Sequence, residues 1–272
     1  MKTLSKITGS LLMITIAFFA WSCDPEEAQI APTLDLSAIE DDIIVNQAFE
    51  DLDNITLQVL QEDGLGARKL DWSICEGAVL DFDESGKKVT LDFGSGCTSY
   101  GITRKGKVNI SYSGNLLFPG SEIVINFENY EVNDIKIEGR RTLKNNGIDI
   151  LNSTIALAIE IQNGKATWPD NTFITITSNH VRQLVLTNEG YDAFITGTMS
   201  GKSRRGVDYS SSTGAPLVIN QSCVESGIWI PNSGILNFDF QGIPLTVDFG
   251  AGTCDKTVTI SSPSGSEDRV LD

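Results

Sequence analysis

The side chains of this 272-residue chain that could do chemistry are few and scattered. His180 is the only histidine, so a serine–histidine nucleophile pair could be built nowhere else, and its surroundings, TSNHVRQ, lack the G-x-S-x-G elbow that presents such a serine. It reads as a histidine in an exposed loop or strand. Asp-Phe-Gly stands twice, at 92–94 and 248–250. In protein kinases that triplet holds a metal, but neither a glycine-rich loop before a lysine-bearing strand nor an HRD-like loop accompanies it here. Asp92 and Asp248 therefore read as side chains that satisfy turn amides or face solvent. Zinc would need more nitrogen or thiolate ligands than one histidine and the cysteines, read below as oxidised, leave. The 36 acids could assemble a calcium shell or the facing carboxylates of a glycoside hydrolase from distant positions, yet no D-x-D-x-D-G loop is present. The expectation is no catalytic residue, no metal and no cofactor, with a polysaccharide-processing enzyme kept as an alternative.

Binding chemistry has two further candidates. Trp72, Trp168 and Trp229 could form a sugar- or lipid-binding platform, although core packing is the commoner fate of tryptophan in a β protein. Arg140-Arg141 and Arg204-Arg205, each beside a glycine, could make a cationic contact or simply sit on solvated turns.

The cysteines say more. Lys2 and Lys6 precede a ten-residue apolar run, LLMITIAFFA, too short to span a bilayer and suited to a secretory signal over residues 1–22. Its exit, Ala20-Trp21-Ser22-Cys23, resembles the lipobox of bacterial lipoproteins, which implies a lipidated Cys23 as the first mature residue. Five cysteines then become four, Cys75, Cys97, Cys223 and Cys254, and four allow three pairings. A doubled phrase selects one: VTLDFGSGC (89–97) and LTVDFGAGTC (245–254) each end a strand–turn–strand unit that opens on a cysteine. The expected bridges are Cys75–Cys97 and Cys223–Cys254. Loss of residues 1–22 takes the 20 Lys+Arg to 18 against an unchanged 36 Asp+Glu, a formal charge of −18. That balance argues against nucleic acid or anionic headgroups as partners.

These residues must be positioned by a β-rich fold. Residues 23–34, with two prolines, read as a lipidated tether, and 35–272 as one helix-plus-β domain. Ser37 to Glu40 fits a capping box, Ile44, Ala48, Leu52, Ile55 and Val59 recur as an apolar stripe, and Gly64 and Gly66 end the helix. From about residue 70 the pattern is β. KVNISY (107–112) and TIALAIEI (154–161) alternate, Asn146-Gly147 and Asn163-Gly164 read as two-residue hairpin turns, and strands are expected over 129–138 and 227–240 among others. The fold class predicted is mainly β: an antiparallel meander forming a strongly curved sheet or open barrel with the N-terminal amphipathic helix packed on it, or else a two-sheet sandwich.

Several phrases resemble a family of uncharacterised lipoproteins from Bacteroidota: FEDLDNIT (49–56), DFGSGCTSYGITRKGKVNISYSG (92–114), FENYEVNDIKIEGRRTLKNNG (127–147), ITGTMSGKSRRGVDY (195–209) and VDFGAGTCDKTVTI (247–260). The resemblance implies a cell-envelope location and no established activity. In that phylum, acidic residues just after the lipidated cysteine, here Asp24, Glu26 and Glu27, resemble a signal for the cell surface. The location expected is the outer membrane, lipid-anchored and surface-exposed, with a periplasm-facing anchor as the alternative. The function expected is a structural or binding role, with a carrier of an apolar ligand, its helix lying over a concave β face, as the runner-up.

Overall fold

Alternation sets this fold, and glycine bulges bend it. The computed structural model describes residues 36–62, 74–187 and 190–271, within one unit, Leu34–Asp272. The expected signal segment, Cys23, Asp24, Glu26, Glu27, Gly64, Gly66 and Trp72 lie outside the described residues.

Helix α1 (Leu36–Glu62) is followed by β1 (Val79–Asp83), β2 (Lys88–Asp92), β3 (Cys97–Ser99), β4 (Ile102–Tyr112), β5 (Glu122–Val132), β6 (Ile135–Asp149) and β7 (Thr154–Thr167). Then come β8 (Phe173–Thr187), β9 (Gly190–Lys202), β10 (Asp208–Asn220), the short helix α2 (Gln221–Glu225), β11 (Ser233–Phe240), β12 (Ile243–Ala251), β13 (Thr257–Ser262) and β14 (Gly265–Val270). All fourteen strands belong to one sheet in chain order, with β3 set aside on β4, and β1 and β14 leave it open. Every described pairing is antiparallel, so the architecture is the open, curved meander rather than the sandwich.

Bulges interrupt the ladders at several points, and two of them centre on asparagines. Inward positions on β5 are odd through Phe127 and even from Tyr130, and on β7 odd through Ile161 and even from Gly164. Each parity change falls at an asparagine with positive φ, Asn129 (49°) and Asn163 (51°), one extra residue inserted into the ladder. Opposite each stands a glycine. A Cβ on Gly106 (β4) would lie 2.0 Å from the Asn129 carbonyl oxygen, and one on Gly139 (β6) 2.8 Å from that of Asn163. Asn163-Gly164 is thus a bulge and not the predicted hairpin, because a bulge needs the same positive φ as a type I′ turn. Asn146-Gly147 likewise lies inside β6, where the register shifts between Asn145 and Gly147. The turn that breaks predicted strand 129–138 is Asn133-Asp134, with φ of 48° and 63°. Predicted strand 227–240 begins at Ser233, after α2 has carried Cys223 into the core.

Helix α1 also departs from expectation. It is not opened by Ser37, which already lies within its first described turn. Nor does it rest one apolar stripe on a sheet: of residues 36–60 only Ser37 and Gln58 are exposed. Val45, Phe49, Leu52, Ile55 and Val59 pack with strands β2 and β4–β9, while Ala38, Ile39 and Ile43 pack with β10–β13. The sheet wraps the helix, and a near-continuously buried helix must bury its polar residues too.

Candidate functional site

Burial of α1 brings carboxylates into the core. Asp41, Asp42, Asp51 and Asp53 are all buried, and the concave face answers with Arg104, Arg141 and Arg182, also buried. Each arginine stands at an inward position of an alternating strand. Arg104 (β4) grips both oxygens of Asp51, Nε at 2.8 Å. Arg141 (β6) grips both oxygens of Asp53, at 2.6 Å and 2.6 Å. Arg182 (β8) hydrogen-bonds Glu50 and lies 3.3 Å from Asp53, while Glu50 is also 3.8 Å from Arg141. Arg204 reaches Asp41 and Asp170 and lies 4.7 Å over the Trp168 ring. Buried charges persist only when paired in this way.

Burial raises the Glu50 and Asp51 carboxyls above their ordinary range, with Arg182 and Arg104 respectively opposing it. Burial pulls Arg141 down, but Asp53 and Glu50 outweigh it and hold its pKa raised. Asp42 has no arginine. It accepts from Tyr209 (2.8 Å) and Asn46 (3.1 Å), and burial, reinforced by Asp41, pushes it up to about 7. His180 faces the same polar layer, half-buried in β8 and not exposed as expected. Burial, with the positive charges of Arg141 and Arg182, brings it down to about 4, so it is neutral at physiological pH.

Beside this layer lies a cavity of about 420 Å³. The second half of α1 supplies Glu50, Asn54, Leu57 and Leu60 to one wall; the sheet supplies Leu157, Leu184 and Ala193 opposite, and Trp229 closes one side. Leu117 and Leu186 also line it and are each about half exposed, so its mouth opens at the end of the sheet that carries the β4–β5 and β8–β9 connections. The walls are mainly aliphatic, and their charge is confined to Glu50 and Arg182. Arg182 Nε and Trp229 Nε1 are buried donors without an acceptor among the described residues.

The bridges are Cys75–Cys97 and Cys223–Cys254, each bracketing one hairpin, β1–β2 and β11–β12. Asp92 and Asp248 each accept the amide of the second following residue, Gly94 and Gly250, both at 2.8 Å. Trp168 and Trp229 do not share a platform: the β7–β8 turn and the segment after α2 are at opposite ends of the antiparallel strands. Of the arginine doublets, Arg141 and Arg204 reach α1, whereas Arg140 and Arg205 are exposed, Arg205 in the β9–β10 turn. Among the described residues no group of three or more His, Cys, Asp or Glu side chains could hold a metal ion, and no described helix is long and apolar enough to cross a membrane.

Glu50, Asn54 and Arg182 escaped the sequence reading. Their signal was present in part: Arg182 falls in step with Ile174, Ile176 and Leu184 on one strand face, and an arginine at an inward position asks for a buried partner. Compared with known proteins, the chain matches no family model, no curated protein and no solved structure.

Proposed function

We propose that this is a non-catalytic, lipid-anchored envelope protein that binds an apolar ligand in the cavity between α1 and the concave sheet. The cavity carries the reading. Its volume lies within the range of ligand sites, roughly 300–1,000 Å³, and its walls are aliphatic with a few polar groups at one side. The charges there cancel, Glu50 and Asp53 against Arg141 and Arg182, so a charged ligand would upset a balanced cluster. Two buried donors without an acceptor among the described residues, on Arg182 and Trp229, favour an uncharged acceptor such as an ester, amide or carbonyl oxygen on an otherwise apolar molecule. A glycoside hydrolase would need two carboxylates free to face a sugar, whereas Glu50, Asp51 and Asp53 are engaged by arginines.

The location rests on residues before α1: the lipobox-like Ala20–Cys23 and the acidic Asp24, Glu26 and Glu27 that resemble a surface-export signal. The two disulfides agree with an oxidising compartment. Ligand binding is tested by titrating an uncharged naphthylamine probe into the purified protein and its Ala193→Phe variant, whose ring would occupy the cavity. Saturable fluorescence enhancement in the parent and its loss in the variant are expected. No enhancement in the parent, or equal enhancement in both, would sink the reading.

A further inference from the structure

Six of the eleven large apolar side chains exposed among the described residues gather at one end of the sheet. They are Leu117 and Phe118 in the β4–β5 connection, Ile148, Ile150 and Leu151 around the β6–β7 turn, and Leu186 at the end of β8. Leu151 and Ile150 are 95% and 85% exposed, nearly as bare as in an extended chain. These connections are stitched together: Gly120 donates to the Asn145 carbonyl (2.8 Å), Asn145 to the Leu116 carbonyl (2.6 Å) and the Leu186 amide to the Ser153 carbonyl (2.9 Å). Residues 113–121 and 150–153 contain no charged side chain. Asp149, next to them, spends its carboxylate on Asn152 and on the amides of Leu151 and Asn152. Leu117 and Leu186 continue inward as lining of the cavity, so apolar surface runs unbroken from the exposed tips to the interior.

We propose that this rim docks on a lipid bilayer, inserting Phe118, Ile150 and Leu151 among the headgroups and turning the cavity mouth toward the membrane. A bilayer fits better than a protein partner. The side chains project from turn tips, and they lack the tyrosine, tryptophan and arginine anchors that mark protein interfaces. The acidic chain offers no general electrostatic attraction to anionic lipid, so insertion is hydrophobic, insensitive to salt and satisfied by zwitterionic headgroups. Anchoring at Cys23 permits it: the 13 residues from Cys23 to Leu36 can reach roughly 45 Å, about the length of the 27-residue helix. Membrane contact stands on the rim alone; exchange of ligand with the bilayer rests on the cavity reading.

The test reconstitutes the acylated protein in phosphatidylcholine vesicles and reads quenching of a reporter tryptophan by brominated lipid. With Trp72, Trp168 and Trp229 replaced by phenylalanine, Phe118→Trp places the reporter on the rim, and Phe173→Trp places it at the opposite end of the sheet. Strong quenching at the first position and little at the second, unchanged by salt, is expected. Leu117→Asp with Leu151→Asp in the Phe118→Trp background should lower the docked fraction by roughly tenfold for each aliphatic group removed. Ala193→Phe should leave quenching intact, which separates failure of the cavity from failure of the rim. Equal quenching at the two positions, or quenching unmoved by the aspartates, overturns the proposal. So does a dimer in detergent that the aspartates dissolve, since the rim would then meet a second copy.

Discussion

Arg141 and Asp53 meet as a fork, Nε to Oδ1 and Nη2 to Oδ2, each at 2.6 Å, with both side chains at most 2% exposed. This pair joins the wrapped helix to the middle of the sheet and fixes both the rotation of α1 and its depth. Had α1 turned so that only its apolar stripe met the sheet, Asp51 and Asp53 would have to move together relative to Arg104 and Arg141.

Removing one partner and removing both should differ sharply. Asp53→Ala leaves the Arg141 guanidinium buried beside a cavity and should cost about 3–5 kcal/mol of stability. Asp53→Leu with Arg141→Met removes both charges, keeps Glu50 opposite Arg182, and should recover most of that loss. Urea unfolding of the two variants against the parent measures it. Equal destabilisation of both would show that the pair is worth its charges and not merely a balanced burial.

Asp42 sets a pH dependence opposite to that of an ordinary salt-bridged carboxylate. Its folded pKa, raised by burial to about 7, lies above the ordinary value near 3.8 that it has in the unfolded chain. Between pH 4 and 7 the unfolded state has released this proton while the folded state keeps it. Stability from this group is therefore fully present below pH 4 and declines as pH rises, by an order of 4 kcal/mol up to pH 7. Asp42→Asn, which cannot ionise, should gain on the parent steadily across that window and hold the gain above it. Melting temperatures of the two proteins at half-unit pH steps check this; parallel curves would show that Asp42 stays ionised in the fold.

The sheet was legible because alternation reports which strand face is buried, as in Val108 and Ile110 or Ile159 and Ile161. The bridges were legible because the hairpin phrase is doubled. The breaks between strands were not, since Asn163-Gly164 at a bulge and Asn133-Asp134 at a turn require the same positive φ and differ only in what lies across the sheet. The buried charge layer was the largest miss. Acids at 50, 51 and 53 look like the wet side of a helix unless one knows that the sheet closes over them, and closure is a property of the whole meander. A cavity is less legible still, because it is set by where the side chains of seven or more elements stop short of one another.

The bend itself is open to test. Gly106 has φ of +76°, and an added Cβ would fall 2.0 Å from the Asn129 carbonyl oxygen, a backbone atom held in the bulge. Gly106→Ala should therefore cost roughly 2–4 kcal/mol, from strain at positive φ and from displacing β5. Gly120, also at positive φ (87°) but with open space around its Cβ position, isolates the dihedral cost. Gly120→Ala should lose only about 1 kcal/mol. Similar losses at the two sites would mean that the close approach of β4 and β5 contributes nothing.

The two bridges should open in a definite order. Thiol–disulfide exchange begins with attack on an accessible sulfur. Cys254 is exposed at the loop after β12, whereas Cys75 is buried and Cys97 half-buried. Mild reductant with iodoacetamide trapping and peptide mapping should find Cys254 alkylated well before Cys75 and Cys97, the released Cys223 thiol staying in the core. The consequences should run the other way. Hairpin β11–β12 keeps a neighbour on each side, β10 and β13, so opening its bridge should leave its amides protected from hydrogen exchange. Among the described residues hairpin β1–β2 ends the sheet, with β1 paired to β2 alone. Cys97→Ser should therefore cost roughly 3–4 kcal/mol, the loop entropy of a closed segment of 22 residues, and expose β1 to exchange. Simultaneous reduction of both bridges, or loss of protection in β11–β12 first, would contradict this order.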